Sequence, residues 1–101
     1  MLEATLSEQL KTVFSKVENE ITLLYDDSTH ENQSELIEML NDVASTCPKI
    51  KAKSSGRNNS IPHFSVLLNE KPTGIQFSGI PGGHEFSSLV LAILKIGRAH
   101  V

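Results

Sequence analysis

The chain has 101 residues, enough for one domain with a modest hydrophobic core. Its formal net charge of −3 argues against a nucleic-acid binder, which needs a clustered basic face, and no apolar run approaches the roughly 18 residues of a membrane span. The lone Cys47 cannot form an internal disulfide, and the first residues lack the pattern of a signal peptide. We therefore expect a cytoplasmic protein in which Cys47 is a small core or boundary residue.

The start of the chain predicts a helix followed by a strand. Apolar residues recur at helical spacing over residues 3–17, and Thr5 with Glu8 has the spacing of a capping box. The short run 21–25 is rich in strand formers and is apolar on both faces. Such a run predicts a central strand that helices cover on both sides.

A second helix and a second strand are predicted next. Residues 29–46 carry one apolar stripe, and Ser28 with Glu31 has the spacing of another capping box. In residues 49–53 lysines alternate with apolar residues, which predicts a strand at the edge of a sheet, where charge discourages pairing with other chains. Residues 54–60 predict a polar loop.

The remaining residues predict a hairpin and a covering helix. An alternating pattern begins at Pro62 and continues to Leu68, breaks at residues 71–74, and resumes over residues 75–78. Glycines and a proline then end the second strand. Apolar residues follow at helical spacing over residues 86–94, so a helix completes the chain.

The order of these elements predicts one thioredoxin-like α/β domain over residues 1–95. We expect a four-stranded mixed sheet with a right-handed parallel β-α-β unit, an antiparallel hairpin, flanking helices and an extra N-terminal helix. Residues 96–101 do not continue the last helix sensibly, and they match what a widely used sequencing adapter encodes in one reading frame. We expect native sequence to end near Lys95 and the chain to be a fragment; the alternative is a natural basic tail.

Two segments carry a resemblance to a known family: LLYDDS at residues 23–28 and, more specifically, FSGIPGGHEFSSLVLA at residues 77–92. Both closely resemble the N-terminus of the flavoprotein (F) subunit of bacterial alkyl hydroperoxide reductase. Such subunits begin with two fused thioredoxin-like folds, of which the first lacks the redox dithiol and the second carries Cys-x-x-Cys. A flavin and pyridine-nucleotide module follows. The resemblance implies electron flow from NADH through FAD and two dithiols to a peroxiredoxin that detoxifies hydroperoxides.

By this resemblance the chain is the first, dithiol-free fold of such a reductase. It would be non-catalytic and would support the adjacent Cys-x-x-Cys fold, helping to dock it to the flavin module and to the peroxiredoxin. The implied parent would be an NADH-dependent disulfide oxidoreductase with FAD, and a homodimer. The histidines and the cysteine lack metal-ligand spacing and no Gly-x-Gly-x-x-Gly motif occurs, so we expect no metal or nucleotide site in this fragment.

The residues at the usual dithiol position carry no cysteine. In a thioredoxin fold the reactive thiolate lies where the first core strand meets the next helix, which is residues 26–30 here, so thiol–disulfide exchange at that point is excluded. Ser28 either caps the helix or offers a hydroxyl to a glutathione-like thiolate. Pro62 occupies the place of the fold's cis-proline, so we expect a cis Ile61–Pro62 bond with a structural role.

The turn into the last helix contains the other candidate residues. We expect Gly79, Pro81 and Gly83 to serve packing and chain direction rather than anion binding. Glu85 falls in the first helical turn, where a carboxylate complements the helix dipole. The resemblance adds that Glu85 lies near the dithiol of the neighbouring fold, where it would disfavour a thiolate or transfer a proton.

Two functions of other classes stay open at this point. One is a stand-alone thioredoxin-like interaction module that uses the groove of the fold without redox chemistry. The other is an enzyme of glutathione-transferase type that uses Ser28.

Overall fold

The structure is a computed structural model that describes residues 3–98. Three α-helices and four β-strands follow one another in this part of the chain. They are α1 (Ala4–Val13, continued by a 3-10 turn at Phe14–Lys16), β1 (Ile21–Asp27), α2 (Gln33–Ser45), β2 (Ile50–Asn58), β3 (His63–Leu68), β4 (Lys71–Ser78) and α3 (His84–Gly97).

The four strands form one mixed sheet in the order β2-β1-β3-β4. β1 pairs in parallel with β2, whereas β1 with β3 and β3 with β4 are antiparallel. The predicted α/β fold and mixed sheet are therefore confirmed. The lysine-rich β2 lies at one edge of the sheet, as its alternating charge predicted.

The helices lie on a single face of the sheet, and their buried residues join that face in one core. The core contains Leu10, Phe14, Val17, Ile21, Leu23, Leu36, Met39, Leu40, Val43, Cys47, Ile50, Phe64, Val66, Leu89 and Ile93. The prediction that helices cover β1 on both sides was therefore wrong. On its other face β1 presents Thr22, Leu24 and Asp26, which side chains of the sheet itself cover, so an apolar run did not require a second helical layer.

The hairpin between β3 and β4 turns earlier than the sequence pattern predicted. Asn69 and Glu70 form the turn, with φ of 49° and 68°, and β4 already begins at Lys71. The expected break at 71–74 is instead an irregularity in β4: Gly74 has φ of 84°, and Thr73 Oγ1 donates a 2.6 Å hydrogen bond to the Val66 carbonyl. A proline and a glycine here mark an edge strand with a bulge rather than a loop.

Two further boundaries differ from the prediction. β2 continues to Asn58, so most of the expected 54–60 loop is strand, with a register shift opposite β1. α2 starts only at Gln33, because the Ser28 hydroxyl accepts the His30 N–H at 3.1 Å and the His30 ring accepts the Asn32 N–H at 3.0 Å. These local bonds favour a turn before the helix.

Neither expected capping box is present. The N-cap residues of α1 and α2 are Glu3 and Asn32, and neither side chain makes a capping hydrogen bond. Thr5 lies inside α1, and Ser28 lies before the turn that precedes α2. Both predictions were wrong because each helix begins at another residue than its Ser/Thr-x-x-Glu spacing indicated.

The C-terminal end of α3 is fastened to the segment before β1. The Gly97 carbonyl accepts the backbone N–H groups of Glu18 at 2.8 Å and Asn19 at 3.0 Å, and Arg98 forms a β-bridge with Val17. A Cβ at Gly97 would lie 2.9 Å from Val17 Cγ1, so glycine permits this close approach. The expectation that the chain departs from the helix after Lys95 was therefore wrong for residues 96–97. Residues 99–101 lie outside the described residues, and the non-native origin of 96–101 stays a prediction.

Candidate functional site

The carboxyl end of β1 and the start of α2 line a shallow groove at the place where an active thioredoxin fold holds its dithiol. The groove has a volume of about 470 Å³ and is lined by His30, Asn32, Ile61, Pro62, Ser78, Gly79 and Ile80. The lone Cys47 is distant from it: it follows the C-terminus of α2, is 5% exposed, and its Sγ lies 3.7 Å from the Phe14 carbonyl. The prediction that Cys47 is a core residue is confirmed.

Pro62 lies at the floor of this groove with a trans peptide bond. No cis peptide occurs among residues 3–98, so the expected cis Ile61–Pro62 bond was wrong. The trans isomer is the lower in energy for an X–Pro bond, by about 0.5–1 kcal/mol. Pro62 is buried, and its carbonyl accepts the Gly79 N–H at 2.7 Å, so it joins the turn after β4 to the groove. Its structural role as a contact between the two loops fits this geometry.

A buried carboxylate, which the sequence pattern did not single out, lies beside the groove on the helix-free face. Asp26 is 7% exposed and accepts hydrogen bonds from Ser55 Oγ at 2.7 Å and Asn59 Nδ2 at 3.2 Å. His63 Nδ1 lies 3.2 Å from Asp26 Oδ2, an electrostatic contact rather than an aligned hydrogen bond, and Arg57 Nε lies 3.8 Å from Asp26 Oδ1. Burial raises the pKa of Asp26, but the two hydrogen bonds and the nearby basic groups outweigh it and lower that pKa below its usual range.

A second polar cluster covers the opposite end of the same face. Glu70, in the β3–β4 turn, accepts a 2.9 Å hydrogen bond from Thr22 Oγ1 and lies 3.1 Å from Lys51 Nζ and 3.2 Å from Lys53 Nζ. The Thr22 hydrogen bond and the two ammonium groups lower the pKa of Glu70 to about 2. This cluster compensates part of the cost of a positive φ at a non-glycine residue.

Glu70→Gln is expected to reduce stability at neutral pH and to leave it unchanged near pH 2. Because the folded pKa is depressed from 4.5 to about 2, the ionised carboxylate stabilises the fold above pH 4.5 and loses this effect as the pH falls towards 2. Urea midpoints measured from pH 7 down to pH 2 should therefore converge for the two proteins. Glu8→Gln, which alters only an exposed pair with Lys11, serves as the control. A constant difference across the whole range would contradict this role of Glu70.

The start of α3 is shaped by the glycine turn. Gly79 has φ of 79° and Gly83, the N-cap of α3, has φ of 55°, so both positions favour glycine. Pro81 is buried between them. Glu85 lies in the first turn of α3 with an exposed side chain, which is the place that the helix-dipole interpretation predicted.

An apolar surface extends along the outside of α1 and α3. Leu91 is 59% exposed and Val13 is 37% exposed, which is unusual for large apolar side chains of a small domain. Between the two helices lies a groove of about 380 Å³, here called the α1–α3 groove. It is lined by Leu6, Gln9, Leu10, Val13, Phe86, Ser87, Val90 and Leu91.

The topology and the groove define a class of protein: a thioredoxin-like domain that has no cysteine at the dithiol position. Within residues 3–98, no helix is both long and apolar enough to cross a membrane. The described residues also bring together no group of three or more histidine, cysteine or acidic side chains that would suit a metal ion. Thiol–disulfide chemistry is therefore excluded at the groove itself.

Comparison with known proteins narrows this class to a single family. No family model matches the chain. The chain is 41% identical over 99 residues to the F subunit of alkyl hydroperoxide reductase from Pseudomonas aeruginosa and 38% identical over 100 residues to that of Staphylococcus aureus strain Mu50. These alignments include 96% and 98% of this chain but only 19% and 20% of the relatives, so the chain spans about one fifth of their length.

Solved structures agree with the sequence relatives. The crystal structure of the NTD_N/C domain of alkylhydroperoxide reductase AhpF from Enterococcus faecalis superposes with a TM-score of 0.87 at 30% identity, over 100% of this chain and 55% of that one. The E. faecalis AhpF C503A mutant gives a TM-score of 0.84 at the same identity, over 99% of this chain and 54% of that one. The chain is therefore a homologue of the N-terminal region of AhpF, the flavoprotein component of alkyl hydroperoxide reductase, as the two sequence segments predicted.

Proposed function

We propose that this chain is the redox-inactive first half of the N-terminal domain of a peroxiredoxin reductase. Its role is to support an adjacent thioredoxin-like half that carries the Cys-x-x-Cys dithiol. In the complete protein, which we propose to be a cytoplasmic homodimer, electrons pass from NADH to FAD, through that dithiol, and on to a peroxiredoxin. The residues of this chain form no site that fits FAD or NADH, so both cofactors belong to the part of the protein that follows.

The observation that carries this proposal is a complete thioredoxin-like fold whose groove has no thiol. A fold retained without its reactive group serves through its surfaces. The α1–α3 groove, with Leu91 and Val13 exposed, offers apolar area that a second fold would cover. The neighbour from E. faecalis, of which this chain covers 55%, is long enough to contain such a second half.

Glu85 is the residue through which this half would influence the chemistry of the other. Its carboxylate is exposed and no ion pair holds it within the described part of the chain. A negative charge beside a dithiol raises the pKa of the thiol, because it disfavours the thiolate. Glu85 would thus adjust the pH at which the neighbouring dithiol becomes reactive, and it is a positioning and electrostatic residue rather than a nucleophile.

The experiment joins residues 1–95 to the remainder of the Pseudomonas aeruginosa relative and compares Glu85→Gln with the parent chimera. Removal of the charge should lower the thiol pKa, so the pH profile of peroxiredoxin reduction should move to lower pH by up to about one unit. Glu35→Gln is the matched control, since Glu35 is also an exposed carboxylate in the first turn of a helix. An identical profile for Glu85→Gln and Glu35→Gln would leave Glu85 with its helix role alone.

The groove at Pro62 favours one alternative, a thioredoxin-like interaction module without redox activity. Its volume of about 470 Å³ and its exposed Ile61 would accept an extended apolar segment of another protein. In that case Ile61→Asp should abolish partner binding, whereas under the main proposal it should leave peroxiredoxin reduction unchanged. The glutathione site at Ser28 stays a prediction, which calorimetry with millimolar glutathione on the chain and on Ser28→Ala would test.

A further inference from the structure

The two edges of the sheet differ sharply in charge. The β2 edge carries Lys49, Lys51, Lys53 and Arg57, which discourage strand pairing. The β4 edge is different, because no residue from position 72 to 83 carries a charged side chain. Only Pro72 and the irregularity at Gly74 protect the start of β4, so its second half, residues 75–78, is an unprotected edge.

The backbone of this edge is oriented for strand addition. Gly79 N–H donates to the Pro62 carbonyl, and the antiparallel register continues through the pairs His63–Ser78 and Ser65–Gln76. Since hydrogen-bonded and non-bonded pairs alternate in an antiparallel ladder, the N–H and C=O groups of Gln76 and Ser78 point away from β3. β4 is the last strand of the sheet in residues 3–98, so these groups face outward from its free edge.

An apolar groove runs beside the same edge on the helical face. It has a volume of about 340 Å³ and is lined by Ile75, Ser88, Leu91, Ala92, Lys95 and Ile96. A strand added to β4 would place its alternate side chains into this groove, which is the arrangement used in recognition by strand addition. The groove lies on the β4 side of α3 and is distinct from the α1–α3 groove.

We infer that the β4 edge is a docking site for a second copy of this chain, which adds its own β4 antiparallel and extends the sheet from four strands to eight. A two-fold axis at Gln76 would place Ile75 of one copy opposite Phe77 of the other, both on the helical face. No like charges would meet, because both edges are uncharged. The pairing is isologous and closes at two copies, and it uses a surface that the proposed support of a second half through the α1–α3 groove leaves free.

The test measures the oligomeric state of the 101-residue chain by sedimentation equilibrium from low micromolar to millimolar concentration. A monomer–dimer equilibrium is expected, and amide exchange at Gln76 and Ser78 should slow as the dimer forms. Ser78→Pro removes one outward donor without removing a bond to β3, and it should raise the dissociation constant at least about tenfold. Asn41→Lys, an exposed change on α2, is the control and should leave the constant unchanged.

Two results would overturn the inference. One is a chain that stays monomeric at every concentration. The other is a dimer in which Gln76 and Ser78 exchange as fast as in the monomer, since another face would then form the contact. The exchange measurement uses the unaltered chain, so it decides the question even where Ser78→Pro fails to fold.

Discussion

Replacement of Phe64 by alanine should lower the free energy of unfolding by about 3–5 kcal/mol, the typical cost of truncating a fully buried phenylalanine. Phe64 is 0% exposed at the centre of the sheet and stacks on Phe77 with 5.2 Å between ring centroids. Its removal would leave a cavity between β3 and the helices and would remove the aromatic contact to β4. Urea denaturation followed by circular dichroism measures the change.

Phe77→Ala separates the two contributions to this effect. Phe77 is only half-buried, so its truncation removes the same stacking contact but creates a smaller cavity. We expect its cost to be less than half that of Phe64→Ala. Equal costs for the two substitutions would show that the ring contact, rather than burial beneath the helices, dominates at this position.

The second large effect is expected for Asp26→Leu, which should cost about 2–4 kcal/mol at neutral pH. The substitution removes the acceptor of Ser55 and Asn59 and leaves His63 and Arg57 without their carboxylate. Buried donors without partners lose their hydration with no compensation. The free energy of unfolding from urea titration at pH 7 measures it.

Asp27→Leu is the matched control for this second effect. Asp27 is partly exposed, and its carboxylate accepts a hydrogen bond from Ser54 Oγ at 2.8 Å. We expect it to cost less than about 1 kcal/mol. Because the pKa of Asp26 is lowered in the fold, the difference between the two variants should shrink as the pH falls below about 4. A difference independent of pH would assign the effect to packing instead.

The sequence predicted the topology because periodicity and turn chemistry agree along most of the chain. The alternation in β3, the apolar stripe of α3 and the lysines of β2 each indicate one face or one edge, and the structure confirms all three. The resemblance of two short segments was sufficient to indicate the homologous family. Local hydrogen bonds before α2 were not predictable from spacing, since Ser28 and Asn32 are both good N-cap residues and only the fold selects between them.

The site residues were less predictable than the fold. Thr22, Asp26, Glu70 and His63 are far apart in the sequence and meet only across neighbouring strands of the helix-free face. The pair Asp26–Asp27 at the end of an apolar strand was an available signal, because one of two adjacent strand residues must point to each face. The trans bond at Pro62 could not be read from the sequence, since both isomers of an X–Pro bond differ little in energy.

The central claim, support of a neighbouring dithiol half, is tested most directly with the Pseudomonas aeruginosa relative in two forms. In one form its segment homologous to this chain is deleted, and in the other residues 1–95 of this chain replace that segment. We predict that deletion lowers the rate of peroxiredoxin reduction at least about tenfold while flavin reduction by NADH is unchanged, and that the replacement restores the rate. Full peroxiredoxin reduction by the deleted form would contradict the claim.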